Sequence, residues 1–256
     1  MQIGHPRIET RLPPSLMRRI QIQLAYDGSA FHGWQVQPGL PTIQGVLEAI
    51  VSGMEGRPVH VAGSGRTDAG VHALGQVAAF SIENPIPLAN LRRAVNRLLP
   101  PAVRVLSAVE VRADFHPRFD AKAKTYEYRI VREEVCSPFE WPYVHHYPYP
   151  LDEDRMERLA QNLEGEHDFT VFAAADDSDA EGRSKVRTVF SSVLEPGSGR
   201  LIYRIRGSGF LKHMVRNIVG TLIEAGRGNI VNLAELPSKS GPTAPAKGLF
   251  LVSVEY

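Results

Sequence analysis

Twice along the chain an apolar–polar alternation gives way to helical spacing, and this repeated pairing of strand and helix signals limits the fold more than any other property. Ile20, Ile22 and Leu24 alternate with Gln21 and Gln23 up to Tyr26. A period of two predicts a half-buried strand that ends at the Asp27-Gly28 turn. A helix is predicted next, capped by Thr42, with Gln44 in its first turn and an apolar stripe of Val46, Leu47, Ile50 and Val51. A Gly-rich turn from Gly63 to Gly70 leads into a strand near Leu74 to Phe80. Pro87 opens a second helix with Leu88, Leu91, Val95, Leu98 and Leu99 on its buried side, and a strand follows from Val103 to Val111.

The pattern then repeats. A strand is expected around Lys124 to Val131, a helix from Asp152 to Leu163 burying Met156, Leu159 and Leu163, and strands near Val189 to Leu194 and Leu201 to Ile205. Phe210, Met214, Ile218 and Leu222 recur at helical spacing before a last strand from Leu249 to Val254. The layout predicts an α+β fold of two similar halves, 19–112 and 113–256, behind a flexible tail at 1–18. The acidic run Asp176 to Gly182 is the expected mobile loop.

Charge narrows the class of partner. The 256 residues carry a formal net charge of only +1, so attraction to nucleic acid must come from local clustering. Two stretches qualify. Arg112, Arg118, Lys122, Lys124, Arg129 and Arg132 outnumber the acids among them, and Arg200, Arg204, Arg206, Lys212 and Arg216 occupy a run without any acid. Each reads equally well as a solvated face. Cys136 is the only cysteine, which rules out an intrachain disulfide and a cysteine metal cluster and suits a reducing cytoplasm. The N-terminal stretch lacks the apolar block of a secretory signal or membrane anchor. No metal site is expected, because His145-His146 face opposite ways along an extended segment and no His-x-x-x-His pair occurs.

The segment Gly63-Ser64-Gly65-Arg66-Thr67-Asp68-Ala69-Gly70-Val71-His72 places an arginine, a carboxylate and a histidine on one pliable turn. Neither a nucleotide-binding P-loop nor a dinucleotide fingerprint fits it, since no lysine follows the glycines and their spacing is wrong. On residue types alone, Arg66 and Asp68 read more readily as a capping or salt-bridge pair than as a catalytic one.

Six ordered blocks alter that balance. Tyr26-Asp27-Gly28 with Phe31-His32-Gly33-Trp34-Gln35, Gly65 to His72, and Phe115 to Phe119 with Ala123 to Tyr128 are followed by His167-Asp168-Phe169. Gly209 to Gly220 and Ala246 to Leu249 complete the series. In this order they resemble the tRNA pseudouridine synthase A family over almost everything from Ile20 to Tyr256. The resemblance implies two related α+β halves around a shared, mainly antiparallel sheet with a central catalytic cleft. It also implies a homodimer that acts on the anticodon stem-loop of tRNA without a cofactor.

The resemblance makes Asp68 the catalytic carboxylate, pairs it with Arg216, and gives Tyr126 the face on which the target base stacks. Arg66 is then expected to fill the gap left by a flipped nucleotide, and Arg118 and Lys124 to contribute to RNA binding. Two other readings compete. A non-catalytic RNA-binding module has no use for a carboxylate beside bound phosphates, and a nucleoside or glycoside hydrolase calls for a second catalytic carboxyl.

Overall fold

The computed structural model describes residues 17–175, 182, 184–230 and 237–256. The expected tail at 1–16 and the acidic run 176–181 lie outside the described residues; Arg18, read as the end of the tail, begins the first strand. The N-terminal half contains β1 (Arg18–Tyr26), α1 (Ile43–Glu55), β2 (Ala62–Gly63), β3 (His72–Ile82), α2 (Leu88–Leu98) and β4 (Val103–Val111). The C-terminal half contains β5 (Ala123–Val131), β6 (His145–His146), α3 (Glu153–Gln161) and β7 (Gly165–Asp168). It continues with β8 (Val186–Gly197), β9 (Arg200–Gly207), α4 (Met214–Gly226) and β10 (Leu249–Glu255).

One sheet runs through both halves in the order β4-β1-β3-β10-β5-β9-β8-β7, with β2 paired to β3 and β6 to β5. The halves repeat a rule: the first strand lies between the last strand and a middle one, as β4-β1-β3 and again as β10-β5-β9, every pair antiparallel. They join where β10 lies parallel to β3, with Phe250 opposite His72 and Leu251 opposite Ala73.

The alternation in β1 does what the sequence implied. Ile20, Ile22, Leu24 and Tyr26 are buried, and Ile22 lines one small cavity together with Val51 of α1 and Leu91 and Val95 of α2. Fully burying such a side chain contributes about 1.5–3 kcal/mol. Thr42 caps α1 by accepting the Gly45 amide (3.2 Å), and Asp152 caps α3 by accepting the Arg155 amide (2.9 Å). In the second half Met156, Leu159, Ile218 and Leu222 join Tyr128, Ile130, Leu201 and Tyr203 in the same core.

Two assignments from spacing fail. Leu98 is 59% exposed at the end of α2, while Leu99 just beyond it is buried. Phe210 precedes α4 rather than belonging to it; the helix begins at Met214 after a turn at His213.

The basic stretches also change character, because antiparallel neighbours supply acids that are remote in sequence. Glu127 on β5 accepts from Arg129 (2.7 Å) and from Arg204 on β9 (2.9 Å), and Arg204 also pairs with Glu195 (2.5 Å). Arg206 pairs with Glu255 (2.6 Å), Arg200 with Glu140 (2.6 Å), Arg132 with Glu153 (2.8 Å) and Arg112 with Asp120. Much of the apparent positive charge is therefore neutralised within the protein.

The seam depends on Gly75 of β3, where a Cβ would stand 2.4 Å from the Val252 carbonyl oxygen on β10. Backbone cannot yield as a flexible side chain does. Gly75→Ala should therefore destabilise the protein by about 1–3 kcal/mol in urea unfolding, and a midpoint equal to wild type would show that the seam tolerates the added methyl group.

Candidate active site

The Gly-rich turn is held from beneath by buried polar groups. Gln76 of β3 accepts from the Ser64 hydroxyl (2.6 Å) and donates to the Gly65 carbonyl (3.0 Å). The Tyr26 hydroxyl meets the Thr67 hydroxyl (2.8 Å), and burial pushes the Tyr26 phenol up to about 12. Trp34 donates its amide to the Thr67 carbonyl (3.0 Å). Gly33 sets that distance: its φ is +84°, and a Cβ there would be 2.5 Å from the same carbonyl.

His72 anchors the far end of the turn. The Gly28 amide donates to its Nδ1 (3.1 Å), which leaves the ring proton on Nε2 to donate to the Pro142 carbonyl (3.2 Å). The ring stacks on Phe250 with centroids 4.7 Å apart. Burial lowers its pKa, Asp27 opposing the effect, and this favours the neutral ring that the hydrogen bonds require.

Asp68 emerges from this support toward α4. Its Oδ2 accepts from Arg216 Nη1 at 2.9 Å and lies 3.5 Å from His213 Nε2. The Arg216 Nε donates to the Ala244 carbonyl (2.8 Å), so the guanidinium is fixed from two directions. The expected pairing of Asp68 with Arg216 is present, and it crosses between the halves. His213 has φ +60°, the only non-glycine residue with positive φ among those described. Spacing gave no sign of it. A strained backbone that delivers an imidazole to a carboxylate is a frequent property of functional sites.

Tyr126 stands on β5, buried, opposite Leu251 of β10 and Ile205 of β9. Phe210 packs edge-on against its ring, with centroids 5.0 Å apart. Burial raises the phenol above its ordinary pKa, with smaller contributions from Tyr26 and the negative charge of Asp68. Asp68, Arg216 and Tyr126, scattered over almost 150 positions, thus meet beside the seam between the halves.

The remaining candidates differ in setting. Arg66 is exposed at the crest of the turn, with no ion pair among the described residues. Arg118 is exposed on the turn before β5, its guanidinium 5.9 Å from the Phe119 ring centre. Lys124 is buried, and its Nζ donates to the Ser64 carbonyl at 2.6 Å. Among the described residues no group of three or more His, Cys, Asp or Glu is placed to hold a metal ion, and no helix is long and apolar enough to cross a membrane.

A family model described as tRNA pseudouridine synthase matches two segments, 23–120 and 159–256. A protein of Solibacter usitatus (strain Ellin6076) named tRNA pseudouridine synthase A is 79% identical over 240 residues, covering 94% of this chain and 100% of the relative. Relatives of the same name from Lacticaseibacillus casei (strain BL23) and Myxococcus xanthus are 43% and 42% identical. Each covers 94% of this chain, which in turn spans 100% and 92% of them. The chain belongs to the tRNA pseudouridine synthase family. It is therefore an isomerase.

Lys124 offers a direct check on the support beneath that site. Burial, then the charges of Arg118 and Arg187, bring its ammonium down to about 8. The unfolded chain then holds this proton more tightly than the folded one. The penalty is full below pH ~8 and is relieved as pH rises toward the ordinary lysine value of about 10.4. From about pH 7 to about pH 10, wild type should gain stability relative to Lys124→Met by on the order of 2 kcal/mol. A difference in urea-unfolding free energy that stays flat with pH would show that Lys124 is not desolvated.

Proposed function

We propose that this enzyme isomerises uridine to pseudouridine in the anticodon stem-loop of tRNA, with Asp68 as the catalytic carboxylate. The observation that carries the reading is the Asp68–Arg216 ion pair set beside the buried ring of Tyr126. The reaction breaks the C1′–N1 bond, turns the detached uracil and joins its C5 to C1′, with no redox change and no hydrolysis. One ionised carboxylate serves it, by bonding to C1′ or by promoting loss of the C2′ proton.

Arg216 holds that carboxylate in place and sets a positive charge 2.9 Å from its Oδ2. Tyr126 provides the flat face against the flipped base, held upright by Phe210. Among the described residues its hydroxyl has no hydrogen-bond partner, which leaves it available to substrate. Arg66, exposed and uncommitted, is suited to occupy the space the base leaves in the RNA stack. A hydrolase reading finds less support, because the groups that contact Asp68 are basic rather than a second carboxyl. The family resemblance and the lone cysteine favour a homodimer at work in a reducing cytoplasm.

The reaction is tested with tRNA labelled with tritium at uridine C5. Isomerisation releases the label to water, hydrolysis liberates uracil, and binding alone releases nothing; the first outcome supports the proposal and either of the others removes it. Tyr126→Leu keeps an apolar side chain but loses the π-face. Single turnover should slow by roughly 10- to 100-fold, as expected from a stacking contribution of about 1–3 kcal/mol, with tRNA affinity little changed. A Leu variant as fast as wild type would reduce Tyr126 to a sheet residue. Tyr126→Phe should remain substantially active if the ring, and not the hydroxyl, carries the role.

A further inference from the structure

Once the ion-paired arginines of the basic stretches are set aside, three cations around the Tyr126 side of the site remain without an acid. These are Arg118, Lys124 and Arg187. Among the described residues none of the three has a carboxylate within ion-pair distance. Lys124 is about nine-tenths buried, and among the described residues its three N–H groups have one acceptor, the Ser64 carbonyl. Arg187 of β8 donates from Nη1 to the carbonyls of Ser184 (2.9 Å) and Val186 (2.6 Å). Its Nε and Nη2 have no protein partner among the described residues.

Strand register brings these groups together. Lys124 lies opposite Gly207 on β9, and Gly207 lies opposite Val189 on β8, two residues after Arg187. The Cδ and Nε of Arg187 are 3.8 Å from where a Gly209 Cβ would stand, and Gly209 precedes Phe210, whose ring packs on Tyr126. A Cβ at Gly65, in the turn that carries Asp68, would be 3.1 Å from Lys124 Nζ. Arg118 completes the group from the turn before β5. Like charges held this close without an acid oppose one another: Arg118 and Arg187 both bear on Lys124, and Arg118 bears on Arg187.

We propose that Arg187, together with Arg118 and Lys124, forms a binding site for a backbone phosphodiester of the tRNA next to the target uridine. The proposal rests on the reading of Asp68 and Tyr126 as the reaction centre. A phosphodiester supplies the negative charge that these three groups lack among the described residues. The unoccupied donors of Arg187 match two of its oxygens, while the Lys124 ammonium acts as a point charge beneath. Such a contact fixes the RNA's register without reading a base, and it sets the nucleotide to be flipped over the Tyr126 ring. Arg187 lies outside the two basic stretches read from the sequence, with Lys185 two residues before it.

The test is the salt dependence of tRNA binding by wild type, Arg187→Gln and Arg187→Lys, with thermal melts to verify folding. Loss of one phosphate contact lowers the magnitude of the slope of log K against log salt by about 0.7–0.9. Arg187→Gln should show that decrease and bind several-fold more weakly at physiological salt, and Arg187→Lys should keep the wild-type slope. A Gln variant with the wild-type slope, or a Lys variant that loses it, overturns the phosphate site. So does displacement by inorganic phosphate beyond a chloride control of equal ionic strength, combined with an unchanged tRNA slope for Arg187→Gln, because the cluster would then take free phosphate. Tritium release by the same wild-type preparation separates the two claims. No release removes the assignment of the reaction, whereas release with an unaltered Arg187→Gln slope removes the phosphate site alone.

Discussion

The parallel pairing of β10 with β3 is short, two residue pairs at His72–Phe250 and Ala73–Leu251, yet the rest of the site is arranged around it. A parallel neighbour cannot be reached by a hairpin, so the chain must build the whole second half before its last strand returns to the first. That return puts β5 one strand away from β3. It brings Tyr126, opposite Leu251, next to the loop that enters β3 at His72. Gly75 and its close approach to Val252 keep the seam tight, and the stacking of His72 on Phe250 ties the end of the Asp68 turn to the same place. Asp68 and Arg216, 148 residues apart, owe their 2.9 Å contact to this closure.

Electrostatics follow the same architecture. On the sheet face away from the helices, Glu127, Glu195 and Glu255 neutralise Arg129, Arg204 and Arg206. Glu127 is buried, whereas the Arg204–Glu195 and Arg206–Glu255 pairs are exposed and contribute little stability, about 0–1 kcal/mol each. Their larger effect is to remove positive charge from surfaces that would otherwise attract phosphate indiscriminately. Charge near Asp68 is arranged differently: Arg216 and His213 face the carboxylate, and Lys124 lies beneath its turn with a carbonyl in place of an acid. The strained turn at His213 belongs to this arrangement, since the backbone conformation there delivers the imidazole to Asp68.

Much of the fold could be read from local pattern because its causes are local. The alternation of Ile20, Ile22 and Leu24 and the cap at Thr42 each act within a few residues, and both appear where the sequence put them. Spacing failed at Leu98 and Phe210, where the chain leaves the helical path at an end and period alone cannot mark the exit. The basic stretches were misleading for a different reason: Arg204 and Glu127 are neighbours only through strand register, which a linear count of charges cannot see. Asp68 was nominated through the family resemblance, since an arginine and an aspartate in a turn are ordinary. Gln76, His213 and Arg187 went unnoticed because their meaning lies in contacts, backbone conformation and missing partners.

The most direct measurement is tritium release from C5-labelled tRNA by Asp68→Asn, alongside tRNA binding by the same preparation. The change removes the negative charge but preserves side-chain shape, so turnover should vanish while affinity stays near wild type or tightens slightly as a repulsion toward phosphate is lost. Isomerisation by a verified Asn variant at a rate close to wild type would contradict the assignment of Asp68 as the reacting carboxylate.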